Sequence, residues 1–252
     1  MPLADFRSPR LFVDAAFTPD ARVPLDRAQA NYLGNVLRLT AGSPILVFNG
    51  RDGEWRAAIG GGKRPDQLVI LHQTRPQDRL PDRVYVFAPL KHARLDYMVQ
   101  KAVEMGAASL QPVLTRHTQV NRINSERMRA NAVEAAEQCG ILSVAAVNEP
   151  LTLERYLGQR VPQRLLVFCD EAAELAAPVE TLTRAKAMDG IDVLIGPEGG
   201  FADEERTALL RQPNILRLSL GPRILRADTA AVAALTLVQA TLGDWNSAPI
   251  PA

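Results

Sequence analysis

The amino-acid sequence predicts an α/β protein in two parts: a small strand-rich N-terminal domain and a larger domain on a largely parallel sheet. Three observations carry this. Residues 1–75 contain short apolar runs separated by Asn-Gly, Asp-Gly and Gly-Gly-Gly. Residues 73–82 are polar with two prolines and read as a linker. Beyond them, compact apolar runs alternate with segments of helical periodicity, the pattern of strands joined by crossover helices.

In the first part, the runs Pro44–Phe48, Glu54–Ile59 and Gln67–Leu71 are expected strands. The turns between them suit a small β-barrel, because Asn, Asp and Gly tolerate positive φ. Asp26–Leu37 is amphipathic and is expected to form one helix. In the second part the expected strands are Arg83–Ala88, Leu110–Leu114, Leu165–Cys169, Ile191–Ile195 and Ile215–Leu218. The expected helices are Arg94–Met105 ending at Gly106, Ser125–Cys139 with Ser125 as N-cap, Ala202–Leu210 and Ala227–Leu242. The Pro-rich tail from Asn246 is expected to fray.

Composition narrows the function classes. No apolar run approaches the ~20 residues that span a bilayer, and the N-terminus does not read as a secretory signal, so a soluble cytoplasmic protein is expected. Cys139 and Cys169 form no Cys-x-x-Cys pair, and His72, His92 and His117 are scattered. That pattern points to two buried, reduced thiols and no metal. Net charge is +1, but residues 1–75 carry ten basic against seven acidic side chains and residues 153–252 ten against thirteen. Such a split suits RNA on the front part and a cationic ligand on the back.

Ligands of open α/β sheets bind outside the carboxyl ends of strands, and three such loops stand out. Asp170-Glu171 follow the run ending at Cys169; they either cap the next helix or present a carboxylate edge to a cationic or hydroxylated ligand. Ile195-Gly196-Pro197-Glu198-Gly199-Gly200-Phe201 is either a tight strand-to-helix turn or a bend whose bare main chain recognises a flat heteroaromatic such as adenine. There is no Gly-x-Gly-x-x-Gly and no Gly-Lys-Ser/Thr, so neither a dinucleotide nor a Walker loop is supported. Leu218 to Ala230 runs from a strand through Gly221-Pro222 and Arg223, Arg226 to a helix start where Asp228 and Thr229 stand at N-cap positions. It is either a capped helix with surface arginines or an anion site.

Together these segments resemble the ribosomal small-subunit uridine-N3 methyltransferase family of the SPOUT (trefoil-knot) superfamily. Gly196–Phe201 followed by Gly221–Ala230 looks like its paired signature loops. Gln100–Ala107 and Glu134–Gly140 look like its middle motifs, and Val36-Leu37-Arg38-Leu39 with Phe48-Asn49-Gly50 like its N-terminal domain. Two positions depart from the pattern: Asn31-Tyr32 stands where members often carry paired histidines, and Ile141 where an arginine is common.

The resemblance implies a PUA-like barrel over residues 1–75 and a knotted methyltransferase domain over 76–246, in a homodimer. It implies S-adenosylmethionine as cofactor, held by Cys169, Asp170, Glu171, Ile195, Gly196, Pro197, Glu198, Gly199, Gly200, Leu220, Gly221, Ile224 and Leu225. The substrate would be a uridine of 16S ribosomal RNA, within the small ribosomal subunit. Its N3 proton must leave before methylation. Asp228 is then the candidate acceptor and Arg226 the candidate stabiliser of charge on a uracil oxygen. Arg7, Arg10 and Arg38 are the candidates for gripping RNA phosphates.

Overall fold

The computed structural model describes residues 7–62, 64–79, 81–120, 122–185, 188 and 190–245. The tail from Asn246 lies outside them. The chain forms two compact units. The first is built on residues up to Arg79 with Ala136–Val144; the second on Leu80–Ala135 and the chain from Ala145 onward.

In the first unit, β1 (Arg10–Phe12), β2 (Arg22–Pro24), α1 (Arg27–Asn31), β3 (Pro44–Phe48), β4 (Glu54–Gly61) and β5 (Pro65–Arg75) follow in order. They make one five-stranded sheet, β1-β3-β4-β5-β2, antiparallel except for β1 on β3. Leu33, Ile45, Val47, Ala57, Leu68 and Ile70 are fully buried on one core. Asn49 turns β3 into β4: its Oδ1 accepts from the N–H groups of Arg51 and Asp52 at 2.9 and 2.8 Å, and Gly50 and Gly53 take φ of 80° and 81°.

Asp26 and Gln29 cap α1 reciprocally, at 2.8 and 3.0 Å. The expected helix stops being regular at Tyr32, where the chain widens into a π-helical turn to Val36. Gly34 sits in that turn, where a Cβ would come within 3.1 Å of Pro65. Arg38, exposed at φ 56°, ends it.

β5 runs to Arg75, into the expected linker, because its last residues serve a buried acid. Glu54 is 2% exposed and accepts from Arg10 Nε (2.8 Å), Arg75 Nε (3.1 Å), Arg75 Nη2 (2.9 Å) and Thr74 Oγ1 (2.9 Å). Burial alone would raise its pKa, but the bonds from Arg75, Arg10 and Thr74 outweigh burial and hold it below the usual carboxylate value. A depressed folded-state pKa adds stability above the unfolded value of ~4.3 and loses it as pH falls through the folded one. Glu54→Gln is therefore expected to lower the denaturation midpoint at pH 7, with the gap to the parent closing at acid pH. A gap that stays constant down to pH 3 would refute this.

The second unit contains β6 (Arg83–Phe87), α2 (His92–Glu104), β7 (Ser109–Leu114), α3 (Ser125–Cys139), β8 (Ala146–Val147), β9 (Leu151–Thr152) and α4 (Leu153–Gln159). β10 (Leu165–Cys169), α5 (Pro178–Thr183), β11 (Ile191–Ile195), α6 (Asp203–Leu210), β12 (Ile215–Leu218) and α7 (Ala227–Leu242) complete it. The last turn of α3 groups with the first unit. The sheet runs β12-β10-β11-β6-β7-β8, every pairing parallel, with β9 beside the end of β7. This is the parallel α/β sheet expected, and its central strands are buried on both faces.

Every residue of β11 is buried, Asp192 included. Its carboxylate accepts from Tyr156 Oη (2.8 Å) and Arg164 Nε (2.7 Å) and pairs with Arg160 Nε (3.3 Å). Arg160 is also donor to the carbonyls of Pro213 and Arg164.

The helix starts differ in detail from the expected ones: α2 begins at His92 rather than Arg94, and α6 at Asp203 rather than Ala202. Asn124, not Ser125, caps α3, accepting from Arg127 N–H at 2.9 Å. α6 is closed by Glu205 reaching back to Ala202 N–H at 3.0 Å, with Asp203 inside the helix. The cap position of α7 is Arg226, which places Asp228 in its first turn. Among the described residues, no helix is long and apolar enough to cross a membrane. Among the described residues, no group of His, Cys, Asp and Glu is arranged to hold a metal.

Candidate functional site

Parallel pairing in register puts the carboxyl ends of β12, β10 and β11 side by side: Cys169 stands opposite Leu218, and Phe168 opposite Leu194. The three loops leaving those ends enclose a half-open cavity of about 570 Å³. That lies within the roughly 300–1,000 Å³ of small-molecule sites.

Cys169, Asp170, Glu171, Ile195, Gly196, Pro197, Glu198, Gly200, Leu220, Gly221, Ile224 and Leu225 all line the cavity. Gly199 does not: it faces the side chain of His117, whose Cβ would lie 3.3 Å from an added Cβ. His117 Nδ1 lies 3.0 Å from the Gly200 carbonyl. That contact requires the N–H on Nδ1, and it pins the bend from outside.

The glycines have separate reasons. A Cβ on Gly196 would strike the Phe201 ring at 2.4 Å, and that ring packs edge-on against Phe168, centroids 5.4 Å apart. Gly200 takes φ 69° opposite the Glu171 carboxylate, and Gly221 takes φ 101° with open space where a Cβ would stand.

The charged groups divide into fixed and exposed. Asp170 is 5% exposed and accepts from Arg206 Nη2 (2.9 Å), Arg217 Nε (2.8 Å) and Ala172 N–H (3.0 Å). Burial alone would raise its pKa; the Arg206, Ala172 and Arg217 bonds outweigh that and hold it below the usual range. It braces the loop, while the neighbouring Glu171 is the exposed acid. Burial pushes the Cys169 thiol up to about 12, so it is a neutral thiol at pH 7. The expectation of two buried thiols is corrected: Cys139 is exposed and Cys169 is partly exposed.

Asp228 is not on the cavity wall. Its Oδ2 accepts from Arg94 Nε at 3.0 Å and its Oδ1 from Thr229 N–H at 2.8 Å. The Arg94 bond above all holds its pKa below the usual range. Arg94 Nη1 also donates to Glu198 at 2.6 Å. Arg223 and Arg226 line the cavity, both are exposed, and neither makes an ion pair among the described residues.

Of the candidates for phosphate contact in the first unit, Arg7 and Arg38 are exposed. Arg10 is corrected: its side chain is 3% exposed and committed to Glu54, so it cannot reach a phosphate.

Sequence reasoning missed Arg94, His117, Arg206 and Arg217. Their partners lie 104 and 134, 83, 36 and 47 residues away, so no local spacing announces them. The chemistry of the cavity is that of an aromatic, polar, cationic ligand. Ile195, Leu218, Leu220 and Leu225 offer apolar walls, three bends offer main-chain donors and acceptors, and Glu171 offers negative charge.

Comparison with known proteins agrees with this geometry. A family model described as an RNA methyltransferase domain matches residues 78–239, and one described as an RNA methyltransferase PUA domain matches residues 25–70. Ribosomal RNA small subunit methyltransferase E of Synechocystis is 31% identical over 239 residues, 92% of this chain and 78% of that one. That of Rickettsia conorii is 27% identical over 232 residues, covering 91% and 94%. Among solved structures, a Legionella pneumophila methyltransferase in complex with the cofactor SAM superimposes with TM-score 0.79 at 27% identity, over 93% of this chain and 98% of that one. The Neisseria gonorrhoeae ribosomal RNA small subunit methyltransferase E bound to S-adenosyl methionine gives TM-score 0.85 at 24% identity, over 95% and 100%, and shares the fold.

Proposed function

The chain belongs to the RNA methyltransferase family that includes ribosomal RNA small subunit methyltransferase E, and from that membership we propose that it methylates N3 of a uridine in 16S ribosomal RNA, with S-adenosylmethionine as methyl donor. The observation that carries the reading is the cavity at three aligned strand ends, walled by main-chain bends and apolar side chains. Its volume, the open edge left by Gly221 and the exposed carboxylate at Glu171 suit an adenosine bearing a cationic tail.

When bound, the cofactor supplies an activated methyl group on a sulfonium, open to in-line attack by a ring nitrogen. The chain's own residues bind and align. Ile195, Leu220 and Leu225 would give the cofactor apolar walls, and main-chain groups of the bend after β11 would hold its purine. Arg226, exposed at the cavity rim, stabilises negative charge on a uracil oxygen as the N3 proton leaves. Asp228, two positions beyond Arg226, is the proposed acceptor of that proton; the Arg94 bond holds its carboxylate low, so the proton passes on to solvent rather than staying on it.

Arg7 and Arg38 are the remaining phosphate candidates. A second copy of the chain is the partner proposed for the exposed apolar rim, where Ile224 is 95%, Leu175 70% and Val179 51% exposed. The cytoplasm is the proposed compartment, where the RNA substrate is found.

The test is methylation of small ribosomal subunits from a strain lacking the gene, with purified protein and labelled cofactor. One N3-methyluridine in 16S RNA is expected, identified by mass spectrometry against base- and ribose-methylated standards. A ribose-methylated product, or methyl transfer to tRNA alone, would refute the assignment. In the same assay Arg38→Ala is expected to flatten the salt dependence of binding; an unchanged slope removes Arg38 from the footprint. Light scattering that reports a monomer at micromolar concentration would refute the dimer.

A further inference from the structure

We propose that Arg94 is the positioning residue of the methyl-transfer site: one guanidinium that holds the β11–α6 bend and the first turn of α7 at a fixed spacing by gripping Glu198 and Asp228 together. The inference rests on the function proposed above and adds a residue that the signature loops do not contain.

The geometry is specific. Arg94 lies in the first turn of α2, outside both loops. It donates from Nη1 to Glu198 at 2.6 Å and from Nε to Asp228 at 3.0 Å. Its remaining amino group, Nη2, is enclosed by protein with no acceptor among the described residues. Each carboxylate it holds belongs to a segment whose other residues line the cofactor cavity: Pro197 and Gly200 beside Glu198, and Arg226, Ala227 and Ala230 around Asp228. Moving either carboxylate therefore moves a wall of the cavity. Arg226, the residue placed to meet the uracil, stands two positions before Asp228 and travels with it.

The charge pattern explains why an arginine is needed there. Two carboxylates brought to one place repel each other; a planar guanidinium between them turns that repulsion into two attractions. Lysine has one compact charge and cannot span both acids in the same fork. The groups facing the cluster do not replace it. Lys91 and His117 line a small cavity on the far side of Pro197-Glu198, and neither makes an ion pair among the described residues. Tyr85, buried near Asp228, carries a neutral hydroxyl at pH 7. Removing the guanidinium therefore does more than delete two bonds: it leaves both segments charged alike and pushes them apart.

That sign gives the test. The full-length protein is assayed by single-turnover methyl transfer to small ribosomal subunits, with cofactor affinity by calorimetry and unfolding midpoint measured on the same samples. Arg94→Met is expected to slow transfer at saturating cofactor on the order of 100-fold, the cost of a misplacement near 1 Å, over and above any loss of cofactor affinity that calorimetry reads for the displaced wall. Arg94→Lys is expected to fall between. Glu198→Gln alone lowers transfer, because it deletes a bond. In the Arg94→Met background the same change raises transfer about tenfold, because it removes the repulsion. A purely structural role would not produce that reversal.

Transfer by Arg94→Met within about threefold of the parent would overturn the inference, as would a further loss on adding Glu198→Gln. If Arg94→Met does not fold, the polar neutral Arg94→Gln and Arg94→Gln with Glu198→Gln decide by the same criterion. An inactive parent overturns the functional reading and this inference with it; an active parent with an indifferent Arg94 overturns the inference alone.

Discussion

Asp192→Ala is expected to destabilise the second unit by about 3–5 kcal/mol, the usual cost of removing one partner from a buried ion pair. The carboxylate is 3% exposed at the centre of the sheet and answers two guanidinium groups and a phenol at once. Without it, Arg160, whose side chain is 1% exposed, keeps only two backbone carbonyls for a full charge. A fall in the unfolding midpoint on the order of 10 °C follows for a domain of this size. Tyr156 and Arg164 donate to different oxygens of Asp192, so Asp192→Asn keeps an acceptor for one of them and should lose less than the alanine. Scanning calorimetry or urea titration decides: an alanine variant within 1 kcal/mol of the parent would show that the network contributes nothing net.

Gly196→Ala is expected to weaken S-adenosylmethionine binding by roughly 10- to 100-fold, the equivalent of about 1–3 kcal/mol of overpacking. The added methyl would sit 2.4 Å from the Phe201 ring. Phe201 cannot swing inward, because Phe168 lies edge-on beneath it at 5.4 Å and is 1% exposed. Relief has to come from the bend itself, which shifts Pro197 and Gly200 on the cavity wall. The fold should survive, since β11 pairs on both sides before Gly196 is reached. Calorimetric titration with cofactor, paired with an unchanged far-ultraviolet spectrum, is the measurement. Parent-like affinity would show that the bend yields without cost.

What the sequence reveals here follows the range of the forces involved. β10, β11, β12 and α7 are found at their expected residues because their signals are local: a short apolar run closed by a polar or glycine residue, and a long periodic segment after Arg226. The cavity wall was legible only in part, since glycines crowded after a strand mark either a tight turn or a bend that faces a ligand. α4 and α5, with seven and six residues, carry too little periodicity to be read. The helix expected over 26–37 fails midway, where Gly34 meets Pro65, a neighbour that no window of the sequence contains. Arg10 misleads in the opposite way. An arginine near the N-terminus reads as solvent-facing until Glu54, forty-four residues on, is found to bury it. Arg94 is the extreme case, a site residue defined wholly by partners more than a hundred residues away.

The order of strands also bears on how the chain is made. β11 sits between β6 and β10, so the edge of β6 that it covers is bare until residues 191–195 have been synthesised. A ribosome adding about 5–20 residues per second leaves that row of unpaired amides and carbonyls open for several seconds. During that interval a nascent chain is a template for pairing with its neighbours, and Arg83, at the start of the waiting strand, is a charge that discourages it.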